Sequence, residues 1–470
     1  MPMNHGDPAM TADAPANLPI VIAADGTVFP TDMRHELLID AMLRRPPVLW
    51  RVTTKARHGS GIFFGELKRT APLDPRGLPV NADLVAWLKR QHQAGRPIHL
   101  LDDLAADLAL QGPLAGIAHI LPDAISSVAD LQRHFPQGFA FAGRGPAHAT
   151  SRDAARSVIA TDATAGKGEV EADLAPATNP WLAWLQAVRP HHWAKNLMIF
   201  IPFMLDRGWT NVDDLIEVTL GFALLVLLVS ATYLFNDLSD LGADRRHWSK
   251  QHRPVARGAI PVAQAGVASI VGASLAVVLA WFLSPLFAGF LALYLIVTVL
   301  YSTYFKTVPL LDALVIALLF TDRLMMGIAL TGDRFSEWLL TFAMFFFFSL
   351  ALAKRHTEVL RSGSNSAEPL ARRGYVGADA ALTLVIGVGS GIAALVIMVI
   401  FLVLDAFQRQ TFVDPTWLWC VPLLLAVWLG RVWLLAHREA LPDDPISFAL
   451  RDRPSLLLGV LVAIAFILAL

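Results

Sequence analysis

From about Trp181 onward the sequence is built of long apolar blocks, near residues 215–237, 263–283, 286–304, 310–330, 336–353, 380–404, 416–436 and 454–470. Each has about the 17–25 residues that a helix needs to cross a bilayer. A shorter run, Asn196–Leu205, makes a ninth span if it is extended back through His191–Lys195 as an amphipathic entry, with eight spans as the fallback. Composition agrees: 55% of the 470 residues are hydrophobic and 16% are charged, where a soluble domain carries about 25% charged residues. With mean hydropathy +0.51, a wholly soluble protein is excluded. The formal net charge of −1 gives no basic excess to suggest nucleic acid, and the single cysteine, Cys420, excludes an internal disulfide and a thiolate-rich metal site.

The first 150 residues read differently, as a soluble α/β domain. The opening MPMNHGDPAM lacks a basic region followed by a long apolar run, so no signal peptide is expected. Five apolar residues, Leu18–Ile22, suit a buried strand. Helical patterns over Arg34–Arg44 and Ala82–Gln93 alternate with short apolar runs at Ile98–Leu101 and Phe139–Ala142. Residues 151–176, small and polar from Thr161 to Ala175, read as a linker, and residues 177–470 as the membrane domain.

Loop charges give an orientation. One side carries Arg245, Arg246, Lys250, Arg253, Arg257, Lys306, Lys354, Arg355, Arg361, Arg372, Arg373, Arg431, Arg438, Arg451 and Arg453; the other carries Arg207, Arg334 and Arg409. By the positive-inside rule the soluble domain and the active-site mouth are expected to face the cytoplasm and the C-terminus to lie outside, in an inner (cytoplasmic) membrane.

Two charged clusters sit at the cytoplasmic ends of spans. In Asn236-Asp237-Leu238-Ser239-Asp240-Leu241-Gly242-Ala243-Asp244 the spacings place Asp237, Asp240 and Asp244 on one helical face. Three adjacent carboxylates at a membrane boundary repel one another, and a hard divalent cation, magnesium, relieves that. The second cluster is Lys354-Arg355-His356-Thr357-Glu358, whose cations match phosphate oxygens. Between the two clusters lie Tyr301, Lys306, Asp312 and Arg323. Asp312 and Arg323 are eleven residues apart, roughly 16 Å along a helix, so each is expected to face a polar cavity rather than the other. Gly387-x-Gly389-x-Gly391 lies mid-span, where small residues serve close helix packing.

These motifs carry a resemblance. The membrane half resembles the UbiA superfamily of intramembrane prenyltransferases, which implies an all-α bundle of about nine helices with magnesium held by Asp-rich motifs. Asn236-Asp237-x-x-Asp240-x-x-x-Asp244 is similar to that family's first Asp-rich motif, His252–Gly258 to the segment that follows it, and Tyr301 to Lys306 to its Tyr-x-x-x-x-Lys element. Arg189–Asn196 and Lys354-Arg355-x-x-Glu358 look like the decaprenyl-phosphate phosphoribosyltransferase branch. Prenyl-transferring members carry a second Asp-rich motif where this chain has one acid among bases. The N-terminal half resembles a degenerate HAD-like hydrolase: in Ala23-Ala24-Asp25-Gly26-Thr27 alanine stands at the nucleophile position, and alanine cannot attack a phosphoryl group.

The resemblance implies a magnesium-dependent transferase. Asp237, Asp240 and Asp244 would hold the metal-bound diphosphate of phosphoribosyl diphosphate, with Asn236 and Arg253 beside them. Lys354 and Arg355, with Glu358 in the catalytic set, would hold one of the two phosphate groups, and Lys195, Tyr301, Lys306, Asp312 and Arg323 are further substrate-binding candidates, the acceptor being a polyprenyl phosphate. The alternative is transfer of a prenyl group from a polyprenyl diphosphate to an aromatic or other acceptor. A third reading is a non-catalytic lipid-binding or transport protein. Oligomeric state is not legible from the sequence.

Overall fold

The structure is a computed structural model that describes residues 18–53, 59–125, 127–161, 168–174, 179–205, 211–332, 336–362, 373–408, 412–441 and 445–470. The chain divides into two compact units: Met1–Val188 with Tyr233–Ser269, and Arg189–Thr232 with Ile270–Leu470.

The first unit holds a parallel sheet of β1 (Ile20–Ile22), β2 (Ile98–Leu100), β3 (His119–Ile120), β4 (Ala140–Ala142), β5 (Ser157–Ala160) and β6 (Glu169–Asp173), in the spatial order β3-β2-β1-β4-β5-β6. Strands β1 and β4 are buried at every position, as expected of a parallel sheet covered on both faces by helices. This doubly wound order reverses direction between β1 and β4, the place where such sheets bind ligands beyond their strand ends. Helix α1 (Met33–Arg44) follows β1 and is capped by Asp32.

Residues 151–176 correct the linker expectation, because they carry β5 and β6. Strand β6 is an edge strand with acidic residues at alternate positions, Glu169, Glu171 and Asp173, a pattern that discourages further pairing. Its polarity made it read as linker. Glu171 is held by the buried guanidinium of Arg96 and by Ser157 Oγ, which donates at 3.0 Å. Residues 162–167 and 175–178 lie outside the described residues.

Seven helices among the described residues are long and apolar enough to cross a membrane: α2 (Val212–Ser239), α4 (Val262–Leu283), α5 (Pro285–Thr303), α6 (Leu311–Thr331), α7 (Glu337–Arg361), α8 (Gly377–Ala406) and α9 (Pro415–His437). A short helix, α3 (Leu241–Arg246), follows α2. The chain is therefore a multi-pass membrane protein. The count of nine is not reached. The run expected as the first span is a 3₁₀ stretch, Pro190–Ile199, followed by the short helix Phe200–Leu205. The last apolar helix, α10 (Arg453–Ala469), has 17 residues, about 26 Å at 1.5 Å per residue against a hydrocarbon core of about 30 Å. Arg207, Arg334, Arg372 and Arg409, used for orientation, lie outside the described residues.

Inside the second unit, small residues permit close helix packing as expected. A Cβ at Gly387 would collide with the Trp433 ring, and one at Gly391 would lie 3.0 Å from Ser349 Oγ, whereas Gly389 faces open space. Ser349 Oγ donates to the Gly387 carbonyl at 2.7 Å and accepts from Trp433 Nε1 at 3.0 Å. One buried hydroxyl thus ties α7, α8 and α9 together where lipid offers no partner.

Candidate active centres in the two units

The Asp-rich centre belongs to the first unit. Helix α2 carries Asn236 and Asp237 in its last turn and ends at Ser239; Asp240 (φ −94°, ψ 2°) caps α3, which carries Asp244. The expected single helical face is therefore interrupted at Asp240, whose ψ near zero leaves the helical region. Asp237 and Asp244 nevertheless converge. Arg253 Nη1 donates to Asp237 Oδ1 at 3.1 Å and to Asp244 Oδ2 at 2.5 Å. Burial raises the Asp244 carboxyl above its ordinary range, against the pull of Arg253 and Lys250.

Two carboxylates meeting on one cationic nitrogen are a donor set that fits magnesium, which takes one or two protein carboxylates and completes its shell with water and phosphate oxygens. Among the described residues no three Asp, Glu, His or Cys side chains gather closely enough to enclose a metal. The three-carboxylate cluster expected from sequence is thus a converging pair, Asp237 and Asp244, with Asp240 at the junction between the helices.

The second unit holds a centre built on Arg355, which is 1% exposed. Its Nε donates to Asp312 Oδ2 at 2.5 Å, its Nη1 to Glu358 Oε2 at 2.7 Å and its Nη2 to Tyr301 OH at 3.5 Å. Asp312, fully buried at the start of α6, also accepts from Tyr375 OH at 2.7 Å. Tyr375 OH in turn receives the Leu310 N–H at 2.8 Å. That bond supports a backbone at φ +65°, sparsely populated for a non-glycine residue. Burial is the main cause that holds the Tyr375 hydroxyl above its ordinary range, and Asp312 adds to it. Arg373 completes the group, 3.3 Å from Tyr301 OH and 3.6 Å from Asp312. Lys354, 30% exposed, lies 3.9 Å from Glu358.

Arg355 is thus engaged by Asp312, Glu358 and Tyr301, while Lys354 and Arg373 are the more accessible cations. Sequence reading placed Arg373 only among loop charges and did not single out Tyr375. The available signal was the scarcity of tyrosine: of five in the chain, Tyr294, Tyr301 and Tyr375 each bond to a buried charged residue.

Arg323 faces neither Asp312 nor open space. It donates to Asn196 Oδ1 at 3.0 Å, to Tyr294 OH at 2.9 Å and to the Leu319 carbonyl, and lies over the rings of Tyr294 and Phe320. Lys195 precedes Asn196 in the 3₁₀ stretch, and Lys306 sits in the turn Phe305–Thr307.

At the switch point of the sheet in the first unit, both remaining acids serve the backbone. Asp103 accepts from the N–H groups of Asp25 (3.0 Å) and Ala105 (2.8 Å), and Asp25 accepts from Met33 N–H at 2.9 Å. Position 23 is a fully buried alanine. Burial pushes the Asp25 carboxyl from 3.8 up to about 7, and the neighbouring Asp103 adds to it. The folded state therefore binds a proton that the unfolded chain has released, so stability falls as pH rises from about 4 to about 7 and stays reduced above that. Asp25→Asn keeps an oxygen for Met33 and should flatten this decline. Exchange protection of the β1 and β4 amides at pH 5 and pH 8 measures it, and an unchanged slope rules out Asp25 as the cause.

A sequence profile described as the UbiA prenyltransferase family matches residues 197–451, more than half of the chain. The chain belongs to this family. Uncharacterized protein y4nM of Sinorhizobium fredii is 36% identical over 96% of this chain and 91% of its own length. A decaprenyl-phosphate phosphoribosyltransferase of Mycolicibacterium smegmatis is 29% identical over 42% of this chain, and the match spans 64% of that protein. Among solved structures, a UbiA homologue from Archaeoglobus fulgidus bound to GPP and Mg2+ is 15% identical, with a TM-score of 0.42 over 61% of this chain and 98% of its own. Residues 1–196 lie outside the UbiA match.

Proposed function

We propose that this UbiA-family protein transfers 5-phosphoribose from phosphoribosyl diphosphate to a polyprenyl phosphate. The observation that carries the reading is the charge of the second centre. Lys354, Arg355 and Arg373 set three positive charges against the two carboxylates of Asp312 and Glu358, a net of +1. A second metal-clamped diphosphate calls for carboxylates there; a net cationic group suits a bare phosphate. The resemblance to enzymes named decaprenyl-phosphate phosphoribosyltransferase supports the same choice.

In this reading Asp237 and Asp244 hold the metal-bound diphosphate, with Asp240 and Asn236 beside them. A bound magnesium ion supplies neutralisation of the charge that develops on the departing diphosphate. Lys354 and Arg373 hold the lipid phosphate, and Arg355 fixes the geometry of Glu358 and Tyr301 around it. An oxygen of the lipid phosphate forms the new bond to C1 of ribose as the bond to diphosphate breaks, and diphosphate leaves with the electron pair. An ionised phosphate needs no base to remove a proton. In this reading the water-soluble phosphoribosyl diphosphate arrives from the aqueous phase, while the polyprenyl tail stays in the bilayer. The N-terminal domain, read as a degenerate HAD-like fold with alanine at position 23, is assigned no hydrolytic step in this scheme.

The test supplies labelled phosphoribosyl diphosphate, a polyprenyl phosphate and magnesium to the full chain in lipid nanodiscs. A lipid-extractable labelled product that disappears with EDTA is the expected result. No such product, together with transfer from a polyprenyl diphosphate to an aromatic acid, would replace this reading by prenyl transfer.

A further inference from the structure

The head domain is tied to the Asp-rich segment by contacts inside the first unit that no charge pattern announces. Arg245 follows Asp244 directly in α3. Its guanidinium forms a two-pronged pair with Glu36 of α1, at 2.6 and 3.0 Å, across 209 positions of sequence. Both side chains are almost entirely buried, 5% and 4% exposed. The remaining donors reach the Ala256 carbonyl at 3.0 Å and the Gly77 carbonyl at 3.1 Å, and Glu36 also accepts from Thr31 Oγ1 at 2.7 Å. One side chain thus joins the helix that carries Asp244, the loop that carries Arg253, and two segments of the head.

A second contact is independent of charge. Gly258 (φ +77°) lies so close to the head that a Cβ there would sit 2.8 Å from the Pro30 carbonyl oxygen. Beneath these polar contacts, Ile39 of α1 packs on an apolar cluster that includes Leu238, Leu241, Val255 and Ile260. The Asp-rich segment is therefore fastened to the head on the sides of both Asp244 and Arg253.

We propose that the head acts as the scaffold of the diphosphate-binding segment, with Glu36 and Arg245 as positioning residues that hold Asp237 and Asp244 in register. The role assigned to the two aspartates rests on the function proposed above; the fastening itself does not. A buried guanidinium that loses its carboxylate is left uncompensated, and the local structure that it pins opens more often.

The test uses the full chain in nanodiscs without substrate, comparing hydrogen exchange in wild type, Glu36→Gln and Gly258→Ala. Both variants are expected to raise exchange across residues 237–258, for Glu36→Gln on the order of a hundredfold, while residues 311–361 keep their protection. Unchanged exchange over 237–258 in both variants overturns the proposal. If Glu36→Gln loosens the whole chain, Gly258→Ala decides alone, by the same two outcomes. Kinetics supply the second readout: the KM for magnesium-loaded phosphoribosyl diphosphate should rise at least tenfold while that for polyprenyl phosphate holds. Should Asp237→Ala prove fully active, the role assigned to Asp237 falls, and the exchange result still judges the scaffold.

Discussion

Asp237→Ala is expected to abolish turnover while leaving the protein folded. Asp237 and Asp244 share one guanidinium nitrogen of Arg253, so their carboxylates already point at a common place where positive charge is welcome. Removing one of them leaves Asp244 and Arg253 paired, and Arg253, 28% exposed, can turn its remaining donors to water. The fold therefore loses little. The reaction loses much, because stabilising charge on a leaving group is worth several kcal/mol in metal-assisted chemistry, and about 4 kcal/mol is already a thousandfold in rate. Turnover with saturating magnesium, alongside the thermal unfolding midpoint of wild type and variant, makes the comparison. Retained activity removes Asp237 from the metal site.

Asp312→Ala should act in the opposite sense, through the fold. Asp312 accepts from Arg355 and Tyr375 and is fully buried, so its removal leaves the Nε of a guanidinium that is itself 1% exposed without its acceptor, with Glu358 and Tyr301 as the partners that remain. Breaking a buried pair by deleting one partner costs about 3–5 kcal/mol. The Tyr375 hydroxyl loses its acceptor as well, and with it part of the support for the Leu310 backbone. A large drop in the unfolding midpoint, read by tryptophan fluorescence, is expected. Lys354→Ala provides the contrast: Lys354 is 30% exposed and exposed pairs contribute at most about 1 kcal/mol, so stability should stay near wild type while the KM for polyprenyl phosphate rises about tenfold. Equal destabilisation by both variants would show that the cluster is one structural unit with no accessible cation.

Much of this was legible in the sequence, for identifiable reasons. Strands β1, β2 and β4 and the helix Ala82–Gln93 were readable because short apolar runs and 3.6-residue periodicity are local signals. Long apolar blocks gave the membrane helices, whose length is set by the bilayer. The edge strand β6 escaped because its stability comes from a neighbour, Ser157–Ala160, and from Arg96, and its own residues are acidic. The 3₁₀ stretch at Pro190–Ile199 escaped because apolar composition does not record which helix type the backbone adopts. At the candidate sites, charge and spacing singled out Asp237, Asp244 and Arg355, each of which the structure places in an ion pair. They could not reveal that Asp312 belongs to Arg355, forty-three positions away, or that Arg245 belongs to Glu36. Such pairings follow from tertiary structure, and the sequence alone names only the candidates.

The first unit is assembled from two stretches separated by residues 189–232, and this has a consequence for how the protein is made. The head leaves the ribosome first, with Glu36 still lacking the arginine that closes over it. Its partner, Arg245, is synthesised 209 positions later and emerges only after α2 has done so. Completion of the first unit thereby waits for a segment made later in synthesis, and the order of translation becomes an order of assembly. A head that has not met its segment leaves open the face of α1 that carries Glu36 and Ile39.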